Sequence, residues 1–342
     1  MKQRKLYDVT APNRSTGIIN GESSNVLNWD DVRFPWAPPM YKNMLRNFWI
    51  PDEINMTGDV KQWPQLSENE RATFRKTIGL LAFLDSIQTD YSAKAAQFLT
   101  DSSLSALMSV LSFQEVVHNQ SYSYVLSSLV PKAEQDAIFE YWKMDAVLRE
   151  RNDFIAKGYQ RFIDEPSPQT FFESIVYDIV LEGLFFYCGF SFFYNLARNQ
   201  KMLATNTMIR FINRDEEIHV RLFTQIFREL LAEYPELDTE ANREFVRETF
   251  RQAAELEIAW GEYIIGNKFD GITMAELSAY IKFIANKRVH ELGIDRPFDG
   301  HRRNPMRWIK AYEDNDAGKT DFFESRVTSY VKVSDSNGFD DL

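Results

Sequence analysis

Glu115-Val-Val-His118 and, farther along, Glu216-Glu-Ile-His219 repeat one spacing. On a helix an interval of three stacks both side chains on one face, a turn apart, where they can converge on one cation. Helix is the expected setting: from Leu80 to Val130 the chain has neither proline nor glycine, which suits long uninterrupted helices. Only four histidines occur in the chain, and two of them complete this pattern. A carboxylate stands upstream of each motif in a helical stretch, Asp85 before the first and Glu182 before the second. A lone Glu-x-x-His is ordinarily a solvated helix face. Two in order, each with its own upstream carboxylate, point to a site for two metal ions.

The surrounding composition bounds the class. A length of 342 residues corresponds to roughly two average domains or one large helical one. Hydrophobic residues make up 44% and aromatics 14%, with 27 phenylalanines, enough for a large core. The net charge of −11 and isoelectric point near 5.0 disfavour phosphate backbones, so nucleic acid is not an expected partner. The single cysteine, Cys188, excludes an intramolecular disulfide framework and any thiolate-rich cluster. It falls in the apolar run Leu184 to Phe193, where a buried, inert thiol is expected. Residues 1–15 are basic but have no apolar segment of the secretory kind, and no stretch reaches ~18 uncharged apolar residues. The expectation is a cytoplasmic protein with no membrane span.

Prolines draw the map. They cluster between Pro12 and Pro64 and are sparse afterwards. Residues 1–40 read as an irregular N-terminal arm wrapping the body, with a short helix near 40–48. Helices are predicted at about 67–98, 102–129, 132–162, 169–197, 203–232, 240–264 and 273–289, together forming one metal-binding helical domain over 41–313. Pro131 can open a helix at its first turn; either Asp238 or Thr239 can cap the helix that starts near Glu240. From Asp314 onward the chain is turn-like and then acidic with little to bury, which predicts a flexible C-terminal tail, 314–342.

Carboxylate, Glu-x-x-His, carboxylate, Glu-x-x-His is the ligand order of ferritin-like dinuclear carboxylate sites, and the fold class it predicts is an all-α ferritin-like helical bundle with that site in its core. Glu115 and Glu216 are the natural bridging carboxylates, His118 and His219 each cap one ion, and Asp85 and Glu182 are terminal. By spacing alone Asp90 competes with Asp85; the apolar run Leu80 to Leu84 favours Asp85 as inward-facing, where an arginine or lysine partner would be the structural alternative to a metal. Oxygen and nitrogen donors without thiolate suit iron or manganese.

Around these positions the sequence resembles the small, radical-generating (beta) subunit of class I ribonucleotide reductase over about residues 40–342. The stretches that carry the resemblance are Asn47 to Glu53, Phe83 to Gln88, Glu115 to Tyr122, Leu181 to Tyr187, Arg214 to His219, Asn304 to Trp308 and Phe322 to Tyr330. It implies Asp85, Glu115, His118, Glu182, Glu216 and His219 as ligands of a dinuclear centre, with two irons expected and manganese or a mixed manganese–iron pair as the alternatives. Tyr122, four residues beyond His118, is implied as the site of a tyrosyl radical, in a family where some members carry phenylalanine there and store the oxidising equivalent on the metals. Phe186, Phe190 and Ile212 are spaced to supply the dry pocket such a radical needs, and equally to be ordinary core.

Nothing in the chain reads as a nucleotide loop or a reducing dithiol, so the radical must leave. The resemblance implies a path through His118 and Asp215 to Trp49, with Tyr330 relaying into a large catalytic subunit on which about Asn337 to Leu342 dock. Asp215, next to Glu216, can accept the second imidazole proton of His118 and orient its ring. Further implied are a homodimer and, if manganese is used, a flavodoxin-like activator. The function expected is ribonucleoside-diphosphate reduction, by an oxidoreductase of which this chain is the radical-supplying part. The competing readings on the same fold are a ferroxidase or iron store and a dimetal substrate oxidase.

Overall fold

The computed structural model describes residues 1–313; the expected tail, with Tyr330 and Asn337–Leu342, lies outside the described residues. Helices form the body: α1 Ala37–Arg46, α2 Thr57–Gln62, α3 Glu68–Ala96, α4 Ser102–Leu129, α5 Lys132–Met144, α6 Ala146–Asp164, α7 Pro168–Val180, α8 Tyr187–Arg198, α9 Leu203–Glu233, α10 Glu240–Ile264, α11 Met274–Glu291 and α12 Lys310–Glu313. No strand occurs among the described residues, only an isolated antiparallel bridge between Ile19 and Leu99. The all-α bundle is the one the sequence predicts.

Local chemistry explains the helix ends. Ser67 and Glu70 form a capping box at the start of α3, the Ser67 hydroxyl accepting from Glu70 N–H and the Glu70 carboxylate from Ser67 N–H; such a cap contributes about 1 kcal/mol. The short connection 97–101 makes α3 and α4 neighbours, and α3 packs chiefly on α4. Along α4, Leu104, Leu107, Leu111, Glu115, His118, Tyr122 and Val125 follow the three-to-four interval and are all buried, so the motif lies on the core face. The start of α9 is capped from outside its own strand of sequence. Buried Asp59 on α2 accepts from Ala204 N–H, Thr205 N–H and the Thr205 hydroxyl at 3.1, 2.8 and 2.7 Å, satisfying donors that every helix start leaves open. Thr239, rather than Asp238, caps α10, and Pro131 stands at the N-cap of α5.

Two expected helices are not continuous. The stretch predicted over 132–162 breaks at Asp145, whose extended backbone ends α5 and whose carboxylate caps α6 through Leu148 N–H at 2.9 Å. Its other oxygen accepts from the hydroxyls of Tyr141 and Tyr263, so side-chain hydrogen bonding outcompetes one more helical turn. The stretch predicted over 169–197 contains a π-helical turn, Leu181–Phe185, between α7 and α8. Taken together, Pro168–Arg198 is long and apolar enough to cross a membrane by composition, but 94% of its most apolar window is buried; it is the central core helix of the bundle. Cys188 lies there, fully buried, and burial pushes its thiol well above the usual range.

The N-terminal residues run over the body without helix as far as Trp36. Ile18 N–H donates to Glu233 at the end of α9 (2.7 Å), Ile18 carbonyl accepts from Thr100 N–H ahead of α4 (2.8 Å), and Arg33 pairs with Glu233 (2.9 Å).

Candidate metal centre

Four elements deliver the six expected ligands to one place: α3 brings Asp85, α4 brings Glu115 and His118, the π turn brings Glu182, and α9 brings Glu216 and His219. All six are fully buried. They fall into two donor groups, Glu115, Glu182, Glu216 and His219 in one and Asp85, Glu115 and His118 in the other, with the donor atoms of each group within 4.8 Å of one another. Glu115 belongs to both, which is the arrangement of a bridging carboxylate. Glu216 also reaches across: its two oxygens lie 3.1 Å from His118 Nδ1 and 2.9 Å from His219 Nδ1. Both histidines thus present Nδ1 to the cluster. Asp90, the competitor on spacing, belongs to neither group.

Both oxygens of Asp85, Glu115 Oε2 and Glu182 Oε2 are buried without a hydrogen-bond partner among the described residues, while Glu115 Oε1 and Glu216 Oε1 face the Nδ1 atoms of His219 and His118 at 3.0 and 3.1 Å. Four carboxylates withdrawn from water without compensation would be prohibitively costly; two divalent cations would supply the missing charge, and an all-oxygen-and-imidazole donor set suits iron or manganese. The residues fit the group. Without a cation the cluster holds protons instead. Burial, then the charge of Glu115, raises Asp85 well above the usual carboxyl range, and burial followed by Glu216 does the same to Glu182. Burial alone would lower His118 and His219, but the surrounding carboxylates outweigh it and raise both. Glu216 is lowered, the histidines overcoming its burial.

Further contacts orient the expected ligands. His219 Nε2 lies 3.1 Å from Gln114 Oε1, which, as acceptor, keeps the proton on Nε2 and the Nδ1 lone pair facing the cluster. His118 Nε2 lies 3.3 Å from Asp215 Oδ2, and the same oxygen accepts from Trp49 Nε1–H at 2.9 Å. The His118 and Trp49 rings stack with centroids 6.2 Å apart. The other Asp215 oxygen faces the Arg214 guanidinium at 3.3 Å. His118, Asp215 and Trp49, which the resemblance implies as one path, lie in one hydrogen-bonded chain. Gln88 donates to Glu182 Oε1 at 2.5 Å and to Asp178 Oδ1 at 2.7 Å, and the Tyr159 hydroxyl lies 2.7 Å from Gln88 Oε1. Sequence reasoning gave no role to Gln114, Gln88 or Asp178, although helical spacing could have: they sit four before His118, three after Asp85 and four before Glu182.

Tyr122 is buried with its hydroxyl facing the Asp85 carboxyl. Burial, reinforced by the Asp85 charge, pushes its phenol well above the usual range. Phe186, Phe190 and Ile212 are fully or almost fully buried, the two phenylalanine rings stacked 5.6 Å apart.

The family described as ribonucleotide reductase, small chain, matches residues 26–305. Over 342 residues the chain is 66% identical to a ribonucleoside-diphosphate reductase subunit beta of Halalkalibacterium halodurans, covering 100% of this chain and 99% of that one. A subunit beta of Treponema pallidum is 39% identical, covering 93% and 91%. Among solved structures, a putative class I ribonucleotide reductase from Bacillus halodurans superposes with a TM-score of 0.87 at 66% identity, covering 90% of this chain and 98% of that one. A ribonucleotide reductase R2 subunit from Clostridium botulinum gives 0.90 at 38%, covering 92% and 99%. The ferritin-like helical fold is common to these chains.

Proposed function

On the premise that the chain belongs to the ribonucleotide reductase small-chain family, we propose that Asp85, Glu115, His118, Glu182, Glu216 and His219 hold two metal ions that serve to oxidise Tyr122. Its relatives are beta subunits of ribonucleoside-diphosphate reductase, an oxidoreductase in which the small chain works with a large subunit. The observation that carries the metal reading is the pair of buried donor groups sharing Glu115, in which both Asp85 oxygens and Glu182 Oε2 have no hydrogen-bond partner among the described residues. When bound, an oxidised iron pair, or manganese in its place, supplies the one-electron oxidant for a nearby phenol.

The chain's own residues shape the rest. Tyr122 must lose its proton as it loses its electron, because a cationic phenol cannot be sustained in an apolar site; Asp85 is the carboxylate beside it. Phe186, Phe190 and Ile212 exclude water and reductants from that radical. Asp215 joins His118 to Trp49 through a single oxygen, which holds the indole proton while an electron passes. Tyr330 continues the path into the large subunit, and Asn337 to Leu342 supply the docking segment. The architecture proposed is an arm over 1–40, a metal-binding domain over 41–313 and a docking tail over 314–342, in a cytoplasmic homodimer. Exposed Phe48 and Phe113, whose rings stack 6.1 Å apart, offer an apolar face for the second copy. A flavodoxin-like activator belongs to the manganese alternative.

Aerobic loading with iron(II), followed by electron paramagnetic resonance, tests the reading. A narrow tyrosyl signal is expected from the native chain and none from Tyr122→Phe, which should still load metal. A signal that persists in Tyr122→Phe would move the radical elsewhere; metal uptake with no radical in the native chain would favour a ferroxidase or a dimetal oxidase.

A further inference from the structure

The helix that carries Glu182 changes register where the ligand sits, in the π turn Leu181–Phe185. A π turn admits an extra residue by widening the ladder, so backbone groups around it need partners from outside the helix. Three of them have side-chain partners. Gly183 carbonyl accepts from Arg288 Nε at 3.2 Å, Phe185 carbonyl accepts from Arg151 Nη2, and Cys188 N–H donates to Glu257 Oε1 at 3.0 Å. Arg151 comes from α6, Glu257 from α10 and Arg288 from α11. Both arginines are buried, at 0% and 1% exposure. Arg151 is paired with Glu257 (Nε to Oε2 2.8 Å), and Arg288 with Glu217 and the Tyr187 hydroxyl, each at 2.5 Å.

Burying two guanidiniums is costly, and apolar side chains of similar volume would fill the space with no such penalty. What apolar residues could not do is donate to the carbonyls of a widened turn. Arg288 does more: Glu217, which it grips, is the residue after Glu216 on α9. One guanidinium therefore touches the turn carrying Glu182 and the neighbour of Glu216.

We infer that Arg151 and Arg288 are positioning residues for the metal centre, holding the π turn that aims Glu182 at Glu115 and His219, and that Arg288 fixes the spacing between that turn and Glu216. The inference rests on the metal-ligand role proposed for Glu182 and Glu216. If the turn relaxed to ordinary α-helix, a one-residue change of register would rotate Glu182 by about 100° around the helix axis, away from its partners.

Gly183→Ala and Arg288→Lys probe this with little change of charge. An added Cβ at Gly183 would stand 2.8 Å from Arg288 Nε and 3.1 Å from its Cδ, displacing the guanidinium while alanine favours helix. Lysine keeps a cation near Glu217 but lacks the planar fork. Manganese(II) alone, added without oxygen to the full-length chain, is titrated by electron paramagnetic resonance. Anomalous scattering from crystals then assigns each ion to its site. In both variants the Glu182-side ion should bind roughly 10–100-fold more weakly, with the ion at Asp85, Glu115 and His118 retained and the thermal midpoint near that of the native chain. Native affinity at both sites in both variants would overturn the inference. So would parallel loss at both sites with a lowered midpoint, which would make the arginines props of the fold. A native chain that binds no metal pair would instead refute the proposed metal centre itself.

Discussion

Asp215 offers a test that separates holding the site together from conducting through it. Its Oδ2 accepts from Trp49 Nε1–H and faces His118 Nε2, and both partners are buried, at 4% and 0% exposure. Asp215→Ala leaves two buried donors without an acceptor; at about 1–3 kcal/mol each, the loss should be about 2–6 kcal/mol. The Arg214 contact adds little, because that guanidinium is 23% exposed and can turn to water. Asp215→Asn can keep an oxygen at the shared position and set only its amide against Arg214, for a loss of about 1 kcal/mol. Urea unfolding of metal-free protein measures these values without the added stability of bound ions. The asparagine variant should still form the Tyr122 radical, yet turnover with the large subunit should fall roughly 10²–10⁴-fold, since a neutral amide cannot serve as the proton partner of the indole. Wild-type turnover by Asp215→Asn with a normal radical would refute the path through this carboxylate. A loss under ~1 kcal/mol in Asp215→Ala would show that Trp49 and His118 find other acceptors.

Glu115→Ala removes a donor common to both groups, and His219→Ala removes a terminal nitrogen; each should lose at least one metal ion and the tyrosyl signal, and full occupancy by metal analysis would take that residue out of the ligand set. Metal uptake should release protons and weaken as pH falls, because Asp85, Glu182, His118 and His219 all hold protons above their ordinary ranges in the metal-free cluster and only their deprotonated forms bind metal. Unbuffered titration with a pH electrode checks this, and uptake without proton release would contradict it. Tyr330→Phe should leave Tyr122 oxidation intact while stopping nucleotide reduction, and deleting Asn337–Leu342 should weaken binding to the large subunit. Normal turnover by Tyr330→Phe would send the radical by another route.

Much of the candidate centre was legible because helical spacing is local information. Two Glu-x-x-His motifs, their upstream carboxylates and Tyr122 four residues past His118 all depend on periodicity within single helices, and each of these residues is buried in the core. What was not legible depends on partners far away in sequence. Leu181 to Phe185 carries no signal that separates a π turn from an α turn, since the donors that sustain it are 34 and 105 residues distant. The break at Asp145 likewise has no proline or glycine; it follows from Tyr141 and Tyr263 hydroxyls meeting one carboxylate. The cap of α9 by Asp59 belongs to the same class, supplied by a short helix that the sequence reading did not anticipate.

The N-terminal segment bears on how the chain can be handled. A helical bundle loosens first by splaying at an end, and here Ile18 and Arg33 tie the last turn of α9 to the turn ahead of α4. That tie lies partly before residue 26, where the family match begins. Trimming residues 1–20 would remove Ile18 from that tie. A chain trimmed in this way should report a softer bundle, so comparisons of metal retention are best made on protein that keeps residues 1–36.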